Sequence, residues 1–262
     1  MKRKAGFSLF YGLMTLVGAM VLLFVLAPLV GLFFATPLAD VFETTRDKQV
    51  RDSIQLTLLT AMGGTLVSAV GAIPLAYILA RKKFPLKKVV LGIIDLPIVI
   101  PHTAAGIAVL GMISRNSLAG KMASSVGLDL VGNPVGIAIA MAFVSIPFLI
   151  NAARDGFLGV PVRMEQAALS LGASPARVFF TISLPLAWRN ILSGLIMMFA
   201  RGMSEFGAVV IVAYHPMVTP VLIFERFGAF GLAYARPVAV AFVLITLIFF
   251  ILLRFLVPKK DA

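Results

Sequence analysis

FSLFYGLMTLVGAMVLLFVLAPLVGLFF, from Phe7 to Phe34, runs for 28 residues without one charged side chain. A helix rises about 1.5 Å per residue, so roughly 20 apolar residues cross a hydrocarbon core of about 30 Å. In water this segment would need protein against every face. In lipid it needs none, because a helix satisfies its own backbone groups. The run follows Met1-Lys2-Arg3-Lys4. Secretory signals also begin with positive charge, but their apolar region spans only about 7–15 residues. The stretch is therefore expected to remain as a first transmembrane helix.

Five more apolar runs follow: Ser53–Ala80, Val89–Ile113, Val135–Ile150, Ile191–Tyr214 and Val238–Val257. The fourth is short and is expected to extend to either side. Strands of a membrane barrel would be about 10 residues long and would alternate in polarity, which these runs do not. Composition agrees, with 60% hydrophobic and 13% charged residues. A soluble domain has about 45–50% apolar and about 25% charged residues. The expected fold is an all-α integral membrane protein of about six transmembrane helices, forming one transmembrane domain over residues 1–262. No internal repeat or second soluble domain stands out.

The net charge of +12 could point to nucleic acid, but its distribution points to the membrane. With the N-terminus in the cytoplasm, the inner segments carry fifteen Lys and Arg and the outer segments seven, with Arg201 inside a span. This bias places both termini inside. The absence of cysteine excludes disulfides, iron–sulfur clusters and thiolate metal sites. His102 and His215 are the only histidines, too few for a haem protein with several bis-histidine sites.

The longest inner loop, Asn151–Asn190, carries helix punctuation. Pro161 suits a first helical turn and Gly172 a C-terminal stop. Ser174-Pro175 reads as an N-cap followed by a first-turn proline, and Pro185 as the end of a second helix or a kink. Two short helices at the cytoplasmic face are expected.

That loop reads Glu165-Gln166-Ala167-Ala168-Leu169-Ser170-Leu171-Gly172, then nine residues, then Ile182-Ser183-Leu184-Pro185. It resembles the EAA loop of ABC importer permeases, E-A-A-x3-G-x9-I-x-L-P. Ala167, Ala168, Gly172, Ile182, Leu184 and Pro185 fall on the pattern. Gln166 occupies the glutamate position and Glu165 stands one residue earlier, which bears on any salt bridge that the family glutamate makes with its ATPase. Asp95-Leu96-Pro97-Ile98-Val99-Ile100-Pro101-His102-Thr103 and Met203-Ser204-Glu205-Phe206-Gly207-Ala208 are similar to oxyanion permeases. The wording is nearest the archaeal-type molybdate/tungstate permeases, with sulfate/thiosulfate permeases the alternative.

The resemblance implies a cell-membrane permease working by alternating access. A second permease copy, two ATP-binding cassette subunits and an extracytoplasmic oxyanion-binding protein are its implied partners. ATP and Mg would sit on the ATPase, with no cofactor or metal on this chain, no nucleic acid and no enzymatic activity of its own. The chain has no G-x-x-x-x-G-K-[ST] phosphate loop, in keeping with that division of labour. A membrane-embedded enzyme would need clustered acid/base or metal-binding groups, and a stand-alone carrier would have no use for the Ala/Gly loop.

Ionisable groups inside a span need an account. Arg201 and Glu205 stand four apart and can pair on one helix face. Either they lock the fifth span to its neighbours or they lie near a pathway or gate. Gly202 and Gly207 would permit close helix contact. Thr103, Ser145 and Ser204 can offer hydroxyls to an oxyanion, or pack between helices. Pro97 and Pro101 free backbone carbonyls, as in the broken helices that line transporter routes. His102 is expected to be a satisfied structural side chain. Asp95 is expected to bond to a helix N-terminus or to the basic loop Arg81–Lys88.

Overall fold

The computed structural model describes residues 9–255; the starts and ends expected at Phe7 and Val257 lie outside the described residues. Thirteen α-helices follow in order, with no strand among the described residues. They are α1 (Leu9–Phe34), α2 (Leu38–Arg46), α3 (Lys48–Arg81), α4 (Lys87–Val99), α5 (His102–Ile113), α6 (Leu118–Ser125), α7 (Pro134–Gly159), α8 (Val162–Ser170), α9 (Pro175–Val178), α10 (Leu184–Met203), α11 (Gly207–Val212), α12 (Thr219–Phe230) and α13 (Leu232–Phe255). A π-helical turn, Phe179–Ser183, joins α9 to α10.

Five helical stretches are long and apolar enough to cross a membrane, and the bent pair α4–α5 makes up to six. Helix α7 is the centre, packed between α3 and α10. Ile137, Met141 and Val144 of α7 enter one core cluster with Ala61, Phe199 and Met203. Leu149, Ala153 and Phe157 enter a second with Ala72, Ala76, Leu79 and Ile191. Alanines on these faces bring backbones close, which is how helices gain dispersion contacts in lipid. Starts follow the polar caps. The Asp47 side chain accepts from Gln49 N–H before α3, and the Asn133 side chain from Val135 N–H before α7.

The structure corrects four expectations about the spans, the loop and Pro185. The third span, Val89–Ile113, is two helices meeting at 112°. Ile100-Pro101 breaks it, because Pro101 has no N–H to continue the α4 ladder. The fifth span does not run Ile191–Tyr214. It is continuous from Pro175 to Met203, stops at Ser204–Phe206, and a separate six-residue α11 follows. The loop Asn151–Asn190 shrinks accordingly, since α7 runs on to Gly159 and the second loop helix is the foot of the fifth span. Pro185 neither ends nor breaks that span. The π turn ahead of it, closed by Leu184 N–H to Phe179 C=O, gives the proline ring room against the preceding carbonyls.

Helix α1 stands apart. It is exposed along nearly its whole length, and Leu32 and Phe33 near its end pack on Val41, Val240 and Ala241.

Candidate functional site

Two regions among the described residues hold the expected site residues. The first is α8, which lies outside the bundle at the end where α3 and α7 finish. Gly172 closes it as expected. With φ +86°, it supports Gly172 N–H to Leu169 C=O and Ala173 N–H to Ala168 C=O, the paired bonds of a Schellman stop. Ser174 caps the next helix by accepting from Arg177 N–H, also as expected.

Glu165 is the one buried residue of α8. Arg81, the last residue of α3, grips it through two nitrogens. Nε lies 2.8 Å from Oε2, and Nη2 lies 2.8 Å from Oε1. Ser183 Oγ donates to Oε1 at 2.6 Å, and Arg81 Nη2 also donates to the Val160 carbonyl at 3.1 Å. Burial alone would raise the Glu165 pKa. The hydrogen bonds from Arg81 and Ser183, with the charge of Arg81, outweigh burial and hold the carboxyl below its ordinary value. Successive residues turn about 100° around a helix, so Gln166 faces outward where Glu165 faces in. Ala167 is exposed and Ala168 half-buried. The outer surface also presents Val162, Leu169 and Leu171, the last 89% exposed. Ile182 sits in the π turn, Leu184 packs on the second core cluster, and Pro185 is exposed in the first turn of α10.

The second region is the break in the third span, where it meets the break after α10. Arg201 and Glu205 pair as expected, with Nη2 2.9 Å from Oε2. The partner that sequence reading missed is His102, whose Nδ1 lies 3.0 Å from the same carboxylate oxygen. Arg201 Nη2 lies 3.0 and 3.1 Å from the two His102 ring nitrogens. The other oxygen of Glu205 accepts Ala208 N–H at 2.8 Å, satisfying a free donor in the first turn of α11. The Glu205 side chain is 2% exposed, against 43% for His102. A carboxylate so deep is tolerable only with such partners.

A Cβ on Gly207 would come within 2.7 Å of His102 Cβ and 3.4 Å of Thr103 N. Gly207 is therefore what lets α11 close on α5. The chain brings Thr103, Arg201, Ser204, Glu205 and Gly207 into one place, with Thr103 and Ser204 exposed. Gly202 differs from the expectation, since a Cβ there would make only ordinary contacts at 3.6 Å and beyond. Ser145 is buried and donates to Met141 C=O within its own helix. Asp95 accepts from Asn151 Nδ2 of α7 at 2.6 Å; its partner is neither a helix N-terminus nor the basic loop. Nothing local announced His102, Arg81 or Asn151 as partners, because they lie 103, 84 and 56 positions from the carboxylates they meet.

A bundle of membrane-length helices, one of them broken, with the short helix α8 outside it, defines a multi-pass membrane protein. Residues 72–261 match the model of the binding-protein-dependent transport system inner membrane component. The chain belongs to this family, the permease subunits of ABC importers. It is 42% identical to a molybdate/tungstate transport system permease protein of Thermococcus kodakarensis, over 94% of this chain and 95% of that one. It is 43% identical to the protein of the same description from Pyrococcus furiosus, over 92% and 93%. A probable sulfate transport system permease of Marchantia polymorpha is 31% identical over 87% and 83%. In fold it resembles a chain of a bacterial ABC transporter that imports alginate, with TM-score 0.74 and 17% identity over 97% of this chain and 96% of that one.

Proposed function

We propose that this chain is the membrane-spanning permease of an importer for molybdate or tungstate, driven by ATP hydrolysis on separate subunits. The observation that carries the coupling part is α8, a helix outside the bundle with a charged root and with Val162, Met164, Leu169 and Leu171 exposed on its outside beside Arg163 and Gln166. Exposed apolar surface beyond the membrane marks a protein contact. Gln166, Ala167, Ala168, Leu169 and Leu171 form the knob that enters a cleft on a cytoplasmic ATPase. Gly172 sets its length, while Ile182, Leu184 and Pro185 join it to α10. Glu165 faces inward, so its part is to hold the helix. The substrate reading rests on the relatives of 42% and 43% identity named for molybdate/tungstate, against the lower identity to the sulfate permease.

Two copies of the chain enclose the path, two ATPases sit below, and a binding protein delivers the anion from outside. Both termini lie in the cytoplasm, and residues 1–262 act as one transmembrane domain. Irregular backbone at membrane depth is tolerated where it is buried or lines a cavity. The breaks at Ile100-Pro101 and Ser204–Phe206 are such places, and Thr103, Arg201, Ser204, Glu205 and Gly207 are set beside the path. Glu205 is masked by Arg201 and His102, as a route for anions requires.

The chain has no cysteine, so Leu171→Cys carries a unique thiol. A photo-crosslinker attached there should join the permease to its ATPase in the assembled complex. Crosslinks to lipid or to the permease alone, with none to the ATPase, would overturn the docking assignment.

A further inference from the structure

The sole buried side chain of α8 is a carboxylate, and each of its contacts belongs to a different part of the bundle. We propose that Glu165, Arg81 and Ser183 form a latch that makes α8 move as one body with α3 and the foot of α10. The inference rests on the permease reading above and extends it, naming where a push on α8 enters the membrane domain.

Arg81 ends α3 and Ser183 ends the π turn below α10. Arg81 also binds the Val160 carbonyl, where α7 hands over to α8. Without these bonds α8 would hang on two short connections, Val160-Pro161 and Leu171–Ser174. An apolar anchor would let a helix slide or roll. A two-pronged guanidinium–carboxylate pair fixes direction as well as distance. The pair is also sheltered, with 11% and 8% of the two side chains exposed, so water competes little for it. The π turn is the widened part of the foot of α10, and the latch bonds to its last residue. Force arriving at α8 is thus shared between α3 and α10, the two helices that grip α7. The charge one position ahead of the EAA pattern gains a use here, because that shift turns the carboxylate inward.

The test uses the complete complex of permease, ATPase and binding protein in proteoliposomes, reading molybdate uptake per ATP hydrolysed. In Glu165→Gln and Arg81→Gln the ratio should fall about tenfold. Ser183→Ala, which keeps the ion pair, should fall less. In Arg81→Cys/Glu165→Cys a short thiol-reactive bridge should raise the ratio back toward wild type, since the two residues keep their separation through the cycle. Should the Gln variants fail to reach the membrane, the bridged protein carries the test by itself. A bridge that abolishes uptake would overturn the latch, as would Gln variants with the wild-type ratio. A wild-type complex that hydrolyses ATP without moving oxyanion would instead remove the permease reading, and the latch with it.

Discussion

Glu205 is a charge held deep in the bundle. Its carboxylate is almost wholly enclosed and depends on Arg201, His102 and the Ala208 N–H. Removing one partner of a buried pair typically costs about 3–5 kcal/mol, most of it the penalty on the charge left behind. Arg201→Ala should therefore lower the melting temperature in detergent markedly, and the double variant Arg201→Ala/Glu205→Gln should recover much of the loss. Equal stability of wild type and Arg201→Ala would mean that the pair does no structural work. Gly207→Val should also fail, because its Cβ would meet His102 Cβ at 2.7 Å. Gly202→Ala, with ordinary contacts only, should be tolerated. Trypsin resistance of the purified protein separates the two.

Glu165 gives a prediction in pH. Its folded pKa is depressed below the ordinary 4.5. The linked stability is therefore fully present above that ordinary value and is lost as pH falls through the folded pKa. Glu165→Gln lacks it at every pH. The stability gap between wild type and variant should be widest near neutrality and close as pH falls below the ordinary carboxylate value. A gap independent of pH would mean that the carboxylate is not ionised in the fold.

At the scale of elements, α8 depends on its stop. Gly172 has φ +86°, a left-handed conformation that a β-branched residue resists. Gly172→Val should leave membrane insertion intact while reducing uptake about tenfold, by misdirecting the end of the knob. Normal uptake in that variant would contradict the coupling role of α8. This stop was legible in the sequence, as was the Ser174 cap, because caps and glycine stops act through neighbouring residues. The broken third span was half legible. Pro97 and Pro101 announced a disturbed ladder, yet the 112° turn comes from α5 packing against α11, which no local pattern encodes. The fifth span was misplaced for a related reason. Arg177, Pro185 and Arg189 made its lower half look like a loop, whereas α7 and α3 support it there as helix.

At the scale of the molecule, six apolar runs became five spans and one bent pair, so hydropathy was enough to place the fold in a membrane. It was not enough for the sites. Arg201–Glu205 was legible because a helix brings residues four apart together, while His102 and Arg81 reached their carboxylates only through tertiary packing. Helix α1 adds a further point. It is long enough to span, yet little of it is covered within one chain. The Lys and Arg bias predicts that a thiol introduced on the loop between α3 and α4 is labelled only from the cytoplasmic side, and one between α5 and α6 only from outside. The reverse pattern would invert the assembly and place α8 away from any ATPase.

The most direct measurement is competitive uptake by this chain reconstituted with its ATPase and binding protein, with molybdate, tungstate and sulfate offered together. ATP-dependent accumulation of molybdate and tungstate over sulfate is the predicted result. Preferential accumulation of sulfate would contradict the substrate, and no ATP-dependent accumulation of any oxyanion would contradict the function.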